Sequence, residues 1–408
     1  MTISSQQTHD EEMQKPSRPR GEIKLPEQAM SLDPFPWYRS MRESQPVYFD
    51  TENQFWHVFK YEDASSILND PATFSSEVFQ RLATEEEKKQ ATAEPSILNL
   101  DPPRHRQLRS LVTQAFTPRT VANLTPRISE IVNEYLDRVI DQGRMDIIAD
   151  LAYPLPVIVI AELLGIPTQD RDLFKHWSDT IVSLRREEAI QAGREMNEYL
   201  KQVTEQRRKA PRDDLISKLL AAEVEGQKLS EGELLSFYGL LLVAGNETTT
   251  NLIGNAIICF DEHPEAIERL RAQPDLLSGA IEEVLRYRSP VQRLVRVTTT
   301  DTTLGGHKIK AGQLVSPWLG SANRDEAQFP NPDTFDISRA PNRHLAFGHG
   351  IHFCVGAPLS RLEARVALGS MLARFGEIKR DRAHPLERIP AASAFFGVQK
   401  LPITFSAR

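Results

Sequence analysis

Apolar residues recur three and four positions apart over much of the chain, the pattern of helices with one buried face. Over 104–116, Leu108, Leu111, Val112 and Ala115 fall on one side and predict a helix. Similar spacing predicts a short helix over 32–44, a strand at 55–60 leading into a helix over 61–69, and amphipathic helices over 120–142 and 169–210. Pro211 stops the last of these, and Asp213 or Asp214 is placed to cap a helix starting at Leu215. The longest pattern opens at Ser230-Glu231-Gly232-Glu233, where a hydroxyl is followed three residues on by a carboxylate, the spacing of a capping box. Apolar residues continue to Phe260, with Pro264 just beyond. That is about 30 residues, or roughly 45 Å at the helical rise. The middle of this helix is apolar nearly all round, so it is predicted to run through the core. A second helix is predicted over 276–287, then short β segments at 294–300, 307–310 and 313–317 with a Gly305-Gly306 turn after the first, and a last helix from near Cys354 to about Phe375. The predicted class is mainly α with small β-sheets, an α+β arrangement.

No repeat or low-complexity linker interrupts the chain after Leu25, so 22–408 is predicted to be one domain. Residues 1–21 are polar, contain proline, and read as a disordered tail rather than a signal peptide. No segment offers the roughly 18–20 apolar residues of a membrane span. The most apolar stretch, 151–166, is interrupted by Pro154, Pro156 and Glu162, and a cytoplasmic location is expected. A net charge of −7 gives no support for a nucleic-acid partner, which favours a basic domain. The two cysteines, Cys259 and Cys354, lie too far apart in sequence for a zinc-type pair and form no disulfide framework. Cys259 reads as a small buried hydrophobe. The segment 77–99, with its charged run Glu85 to Lys89, reads as solvated surface, yet it is long enough to be a mobile cover, as is 169–200.

Cys354 sits in Phe347-Gly348-His349-Gly350-Ile351-His352-Phe353-Cys354-Val355-Gly356. Three glycines let this backbone turn tightly and approach something flat. A helix predicted just beyond would favour the thiolate, and a thiolate facing an open loop can ligate a metal. A buried cysteine ahead of a helix, its glycines serving only the turn, is the plainer alternative. The pattern Phe-x-x-Gly-x-x-x-Cys-x-Gly nevertheless resembles the haem-binding signature of the cytochromes P450, matched by Phe347, Gly350, Cys354 and Gly356. The resemblance implies haem b with Cys354 as the axial iron ligand, and a fold in which a long central helix crosses the haem.

Three further constellations follow the same family's order. Ala244-Gly245-Asn246-Glu247-Thr248-Thr249 lies mid-way along the long helix. Gly245 weakens a helix there by about 1 kcal/mol against Ala, and a Thr hydroxyl bonding one turn back bends it, so a local opening is expected. Back-bonding by Thr248 and a salt bridge from Glu247, without catalysis, is the alternative. By resemblance Glu247 is a proton relay and Thr248 holds reduced oxygen and water. Glu283 and Arg286, three apart on one helix face, are either an exposed pair or, by resemblance, a structural network completed by Arg339. His105 and Arg109, i and i+4 on one helix, with Arg296 and His352, are ordinary surface cations or, by resemblance, the groups that hold two haem propionates.

The similarity runs from about Leu32 to Ile403, with one departure at Gln107, where many relatives carry Arg. It implies a monooxygenase inserting one atom of dioxygen into a C–H bond of a small lipophilic substrate such as a fatty acid, terpenoid or steroid. The chain lacks a dinucleotide fingerprint and is too short to include a flavin reductase, so NAD(P)H electrons are expected through a separate ferredoxin or flavodoxin with its reductase. Arg104, Arg106, Arg109 and Arg119 form a positive patch for an acidic donor, or an ordinary solvated face. Candidate pocket walls are Leu241, Val243, Ala244, Val291, Gln292, Leu294, Ala394, Phe395 and Phe396, with Leu184 from the cover; plain core packing is an equal reading for each. Two rivals remain. One is a peroxide-driven member of the same fold, which the presence of Glu247 and Thr248 disfavours. The other is a haem-binding sensor or carrier without turnover.

Overall fold

Helices and short strands alternate in an order set by where apolar faces begin and prolines interrupt them. A computed structural model describes residues 25–90, 94–182, 186–224, 226–389 and 394–408. The tail expected over 1–21 and the cover residue Leu184 lie outside the described residues. The chain opens with α1 (Phe35–Ser44), β1 (Val47–Asp50), β2 (Phe55–Val58), α2 (Tyr61–Asn69), β3 (Phe74–Ser75), α3 (Val78–Leu82) and α4 (Glu85–Gln90). A helical region follows: α5 (Arg104–Ala115), α6 (Pro118–Ala122), α7 (Thr125–Asp137), the strand β4 (Arg144–Asp146), α8 (Pro154–Leu164), α9 (Arg171–Val182), α10 (Arg186–Lys209) and α11 (Leu215–Ala221). Next come α12 (Glu231–Glu262), α13 (Pro264–Ala272) and α14 (Leu277–Tyr287). The last part holds β5 (Arg296–Thr298), β6 (Thr302–Leu304), β7 (His307–Ile309), β8 (Leu314–Pro317), α15 (Leu319–Ala322), α16 (Ala357–Arg374), β9 (Phe375–Arg380) and β10 (Pro402–Ala407).

The helix expected over 120–142 is divided. Pro126 lacks an amide donor and is tolerated in a first turn, so it starts α7 instead of continuing α6. The strand expected over 294–300 shrinks to the three residues of β5, which pairs with β8 and β3. Together with β1 and β2 these make a five-stranded sheet in the order β1-β2-β8-β5-β3, in which β2 and β8 run parallel. A three-stranded sheet, β4-β10-β9, and the hairpin β6-β7 complete the β structure.

The long helix is the axis of the core. Its start carries the expected capping box: Ser230 accepts from the Glu233 amide, and the Glu233 side chain accepts from the Ser230 amide. Glu233 also takes a two-pronged bond from Arg104 at the start of α5, at 2.7 and 2.5 Å. From this anchored end α12 runs for 32 residues against α8, α14 and α16. The apolar stretch expected to be exceptional became α8, buried on almost every side and packed along α12. Gly245 lets the two approach: a Cβ there would sit 2.6 Å from Ile160 Cδ1. Close packing is therefore what this glycine provides, and α12 stays helical through 244–249 where an opening was expected. Among the described residues no helix is long and apolar enough to cross a membrane.

Candidate functional site

Cys354 lies between a short 3-10 turn, Gly350–His352, and the first turn of α16. Its amide donates to Phe347 O at 2.9 Å, closing the loop on itself. Gly350 has φ +68° and a Cβ there would meet Leu68 O at 2.5 Å, so both backbone shape and space require glycine. Burial pushes the Cys354 thiol up, against the pull of the Gly356 and Ala357 amides and of Arg109 and Arg361. The helix start acts in the predicted direction, but desolvation outweighs it.

The loop is clamped from outside by residues that periodicity did not reveal. Phe347 lies under the Arg361 guanidinium, 4.5 Å from ring centroid to Cζ. Arg361 is held by Glu282 through two 2.7 Å bonds, and Glu282 also meets His344 at 3.1 Å. Burial pushes the Glu282 carboxyl up, but Arg361 and His344 prevail and leave it at about 2.

One residue along α14, Glu283 points the other way. It pairs with Arg286 through two 2.8 Å bonds, both side chains fully buried. Arg339 reaches the same carboxylate at 3.2 Å, so the structure brings together the three residues singled out in the sequence. Asn342 and the Asp336 amide add further donors, while Arg286 spends its remaining N–H groups on the carbonyls of Asn323, Pro332 and Thr334. Every charge in this knot is answered, and it holds the segment leading to Cys354 against α14.

The four expected cations also converge, with a different outcome. The rings of His105 and His352 meet at a tilt of 52°, with centroids 4.2 Å apart. Burial, then the neighbouring His105, Arg296 and Arg109, push His352 down to about 3. Burial pushes Arg296 down to about 10, and His105 and Arg109 shift the same way for the same first reason. Asp101 opposes the shift at Arg296 and His105, but its oxygens are occupied by Ser75 and the Ser76 amide. Among the described residues no carboxylate forms an ion pair with any of the four. Two guanidinium groups and two imidazoles gathered without counter-charge at the Cys354 loop fit a dianionic, metal-bearing group such as haem with its two propionates.

On α12, Thr248 Oγ1 donates to Ala244 O at 2.7 Å, the back-bond expected of it. Glu247 is half-buried, and burial pushes its carboxyl up, with Asn251 as its hydrogen-bonding neighbour. Of the proposed pocket walls, Leu241, Ala244, Val291, Leu294, Ala394 and Phe395 are all half-buried, and Val291 and Phe395 are joined by an antiparallel bridge. The Val243 side chain lies outside the described residues. Two assignments need correction. Gln292 is buried, accepting from Tyr38 at 2.5 Å and donating to Ser289 O at 2.6 Å. Phe396 packs against Phe35, Arg288 and Arg388. Both side chains are committed to the core around α1.

The basic patch is also reduced. Arg104 is tied to Glu233 and Arg109 is half-buried beside Cys354, leaving Arg106 and Arg119 exposed. Arg106 and Arg109 line a cleft of ≈ 490 Å³ between α5 and Ile351. Cys259 is fully buried on α12, where desolvation pushes its thiol up to about 12, in keeping with a packing role.

A cytochrome P450 family model matches residues 157–395. Cytochrome P450 109 of Bacillus spizizenii is 44% identical over 385 residues, covering 91% of this chain and 92% of that protein. Cyclomarin C epoxidase CymV of Salinispora arenicola is 44% identical over 352 residues, covering 84% and 89%. The crystal structure of CYP109E1 from Bacillus megaterium in complex with corticosterone superposes with a TM-score of 0.85 at 43% identity, over 93% of this chain and 99% of that one.

Proposed function

The chain belongs to the cytochrome P450 family and is a haem monooxygenase; from that premise we propose that residues 22–408 form a single haem-binding unit in which Cys354 would supply the thiolate that binds the iron and His105, Arg109, Arg296 and His352 would hold the propionates. The observation that carries this assignment is the convergence of two guanidinium groups and two imidazoles at the Cys354 loop, with no ion-pairing carboxylate among the described residues. Haem, when bound, supplies the activation of dioxygen. The chain's own residues manage protons and orientation. Glu247, its carboxyl raised by burial, takes a proton from solvent and passes it inward. The Thr248 hydroxyl now satisfies Ala244 O and turns to hold water when the pocket fills. Phe347, Gly350 and Gly356 shape the loop, and the Glu283–Arg286–Arg339 knot keeps it in place.

The substrate is a small lipophilic molecule, with steroids first in line, because CYP109E1, 43% identical, is seen with corticosterone and the candidate pocket walls are apolar. Leu241, Val243, Ala244, Val291, Leu294, Ala394 and Phe395 contribute to its enclosure. Electrons come from NAD(P)H through a cytoplasmic ferredoxin or flavodoxin and its reductase, the acidic donor meeting Arg106 and Arg119 beside the cleft on α5.

The test is spectroscopic. Haem-loaded wild type is expected to give the red-shifted Soret band of a thiolate-ligated carbon monoxide adduct, and Cys354→Ser is expected to lose it. Persistence of that band in the variant refutes the ligand assignment. Titration with corticosterone is expected to shift the Soret maximum of the ferric protein; a flat titration removes steroids from the substrate class.

A further inference from the structure

The buried arginines of this chain divide unevenly. Arg42, Arg207, Arg286, Arg288, Arg296 and Arg324 each donate to at least one oxygen of the protein. Arg293, 5% exposed, donates to none among the described residues, and its Nε is sealed away without a partner. Its surroundings are aromatic and neutral. Its Cζ lies 5.9 Å from the centre of the Trp318 ring. Tyr38 donates to Gln292 at 2.5 Å, and burial pushes its hydroxyl up, so it carries no charge. His57 accepts from Trp318 Nε1 at 2.9 Å and turns its other nitrogen to Asp50 at 3.5 Å, while burial, before all else, pushes it down. Burial pushes Arg293 down as well, with Tyr38 opposing. A guanidinium does not shed its proton inside a protein, so Arg293 is a buried cation that the chain leaves unanswered.

Arg293 is rooted in the wall assigned to the substrate. The Gln292 amide donates to Ala394 O at 2.8 Å, the Gly320 amide to Gln292 O at 3.1 Å and the Leu294 amide to Pro317 O at 3.1 Å. Val291 is bridged to Phe395. The segment is thus pinned on both sides, and Val291, Leu294, Ala394 and Phe395 are four of its half-buried apolar walls. We propose that Arg293 is a specificity-determining residue that receives a carboxylate carried by the substrate, so that the preferred substrate is an apolar body bearing one acid group. The inference rests on the pocket walls proposed above. A guanidinium fork gives a carboxylate two parallel N–H bonds, and such a pair gains strength where water is excluded. A neutral ligand of the same shape leaves the cation unanswered. The haem propionates are assigned to the cations at the Cys354 loop, whereas Arg293 lies by Trp318, Tyr38 and His57.

The test is calorimetric titration of haem-loaded protein at neutral pH with lithocholic acid and dodecanoic acid, each set against its methyl ester, and with corticosterone. Wild type is expected to bind at least one acid about ten-fold or more tightly than its ester. Preference for lithocholic acid alone marks a steroid acid, and preference for dodecanoic acid alone a fatty acid. Arg293→Gln and Arg293→Met are expected to lose the preference, the acids weakening about ten-fold while the esters and corticosterone stay within about two-fold of wild type. Arg293→Lys, which keeps the charge without the fork, is expected to recover part of it. Equal affinity of wild type for acid and ester overturns the proposal, and this can be read even if no variant folds. So does a preference that survives in Arg293→Gln, or an equal weakening of acid and ester, which would mean a packing role. Loss of haem from the variants would assign Arg293 to the propionates and overturn it too. A wild type without the thiolate spectrum overturns the haem reading instead, a separate result.

Discussion

Two groups of buried charges flank the Cys354 loop, and they are built on opposite principles. In the Glu283–Arg286–Arg339 knot each charge meets its opposite and the spare hydrogen-bonding sites meet carbonyls and amides. In the His105–Arg109–Arg296–His352 group two guanidinium groups and two imidazoles crowd together and each loses proton affinity. The first is complete as the chain folds. The second becomes complete when something else arrives. Buried charge by itself thus says little about function; whether the protein has answered it says much more.

The contrast can be broken most forcefully at Arg286. Arg286→Ala leaves Glu283 buried and under-paired, and unfolding by urea is expected to show a loss of about 3–5 kcal/mol. A loss below 1 kcal/mol would mean the knot is not the fixed point it is taken to be. Glu282→Gln comes next. This variant keeps the shape but removes the carboxylate charge that faces Arg361 and His344, and a loss of about 1.5–3 kcal/mol is expected at neutral pH. The pH dependence follows from the depressed carboxyl. Its folded value of about 2 lies below the ordinary 4.5, so its contribution is present above about 4.5 and lost as pH falls through 2. The stability slope across that acid window is expected to flatten in the variant. The smallest effect sharpens the comparison. In haem-free protein Arg296→Ala removes an unanswered cation and is expected to leave the urea midpoint unchanged or slightly raised, while haem binding weakens. A haem-free Arg296→Ala as unstable as Arg286→Ala would show that the four cations are answered within the protein after all.

Much of this was legible where chemistry is local. The capping box at Ser230 and Glu233, the glycines around Cys354 and the three-residue spacing of Glu283 and Arg286 all act over a single turn, and sequence displays them directly. The Phe347 clamp was not legible, because Glu282, His344 and Arg361 come from three separate segments and no periodicity links them. Gln292 and Phe396 were misplaced for another reason. Both lie in irregular stretches where side chains follow no fixed alternation, so one residue's difference decides between pocket and core.

The carboxylate of Glu233 answers two masters, the first turn of the long helix and the guanidinium of Arg104. Drawing Arg104 away would strip one of those ligands from it and loosen the other. The start of α5 and the first turn of the long helix are thus tied at a single carboxylate, and a disturbance of either is felt at the other.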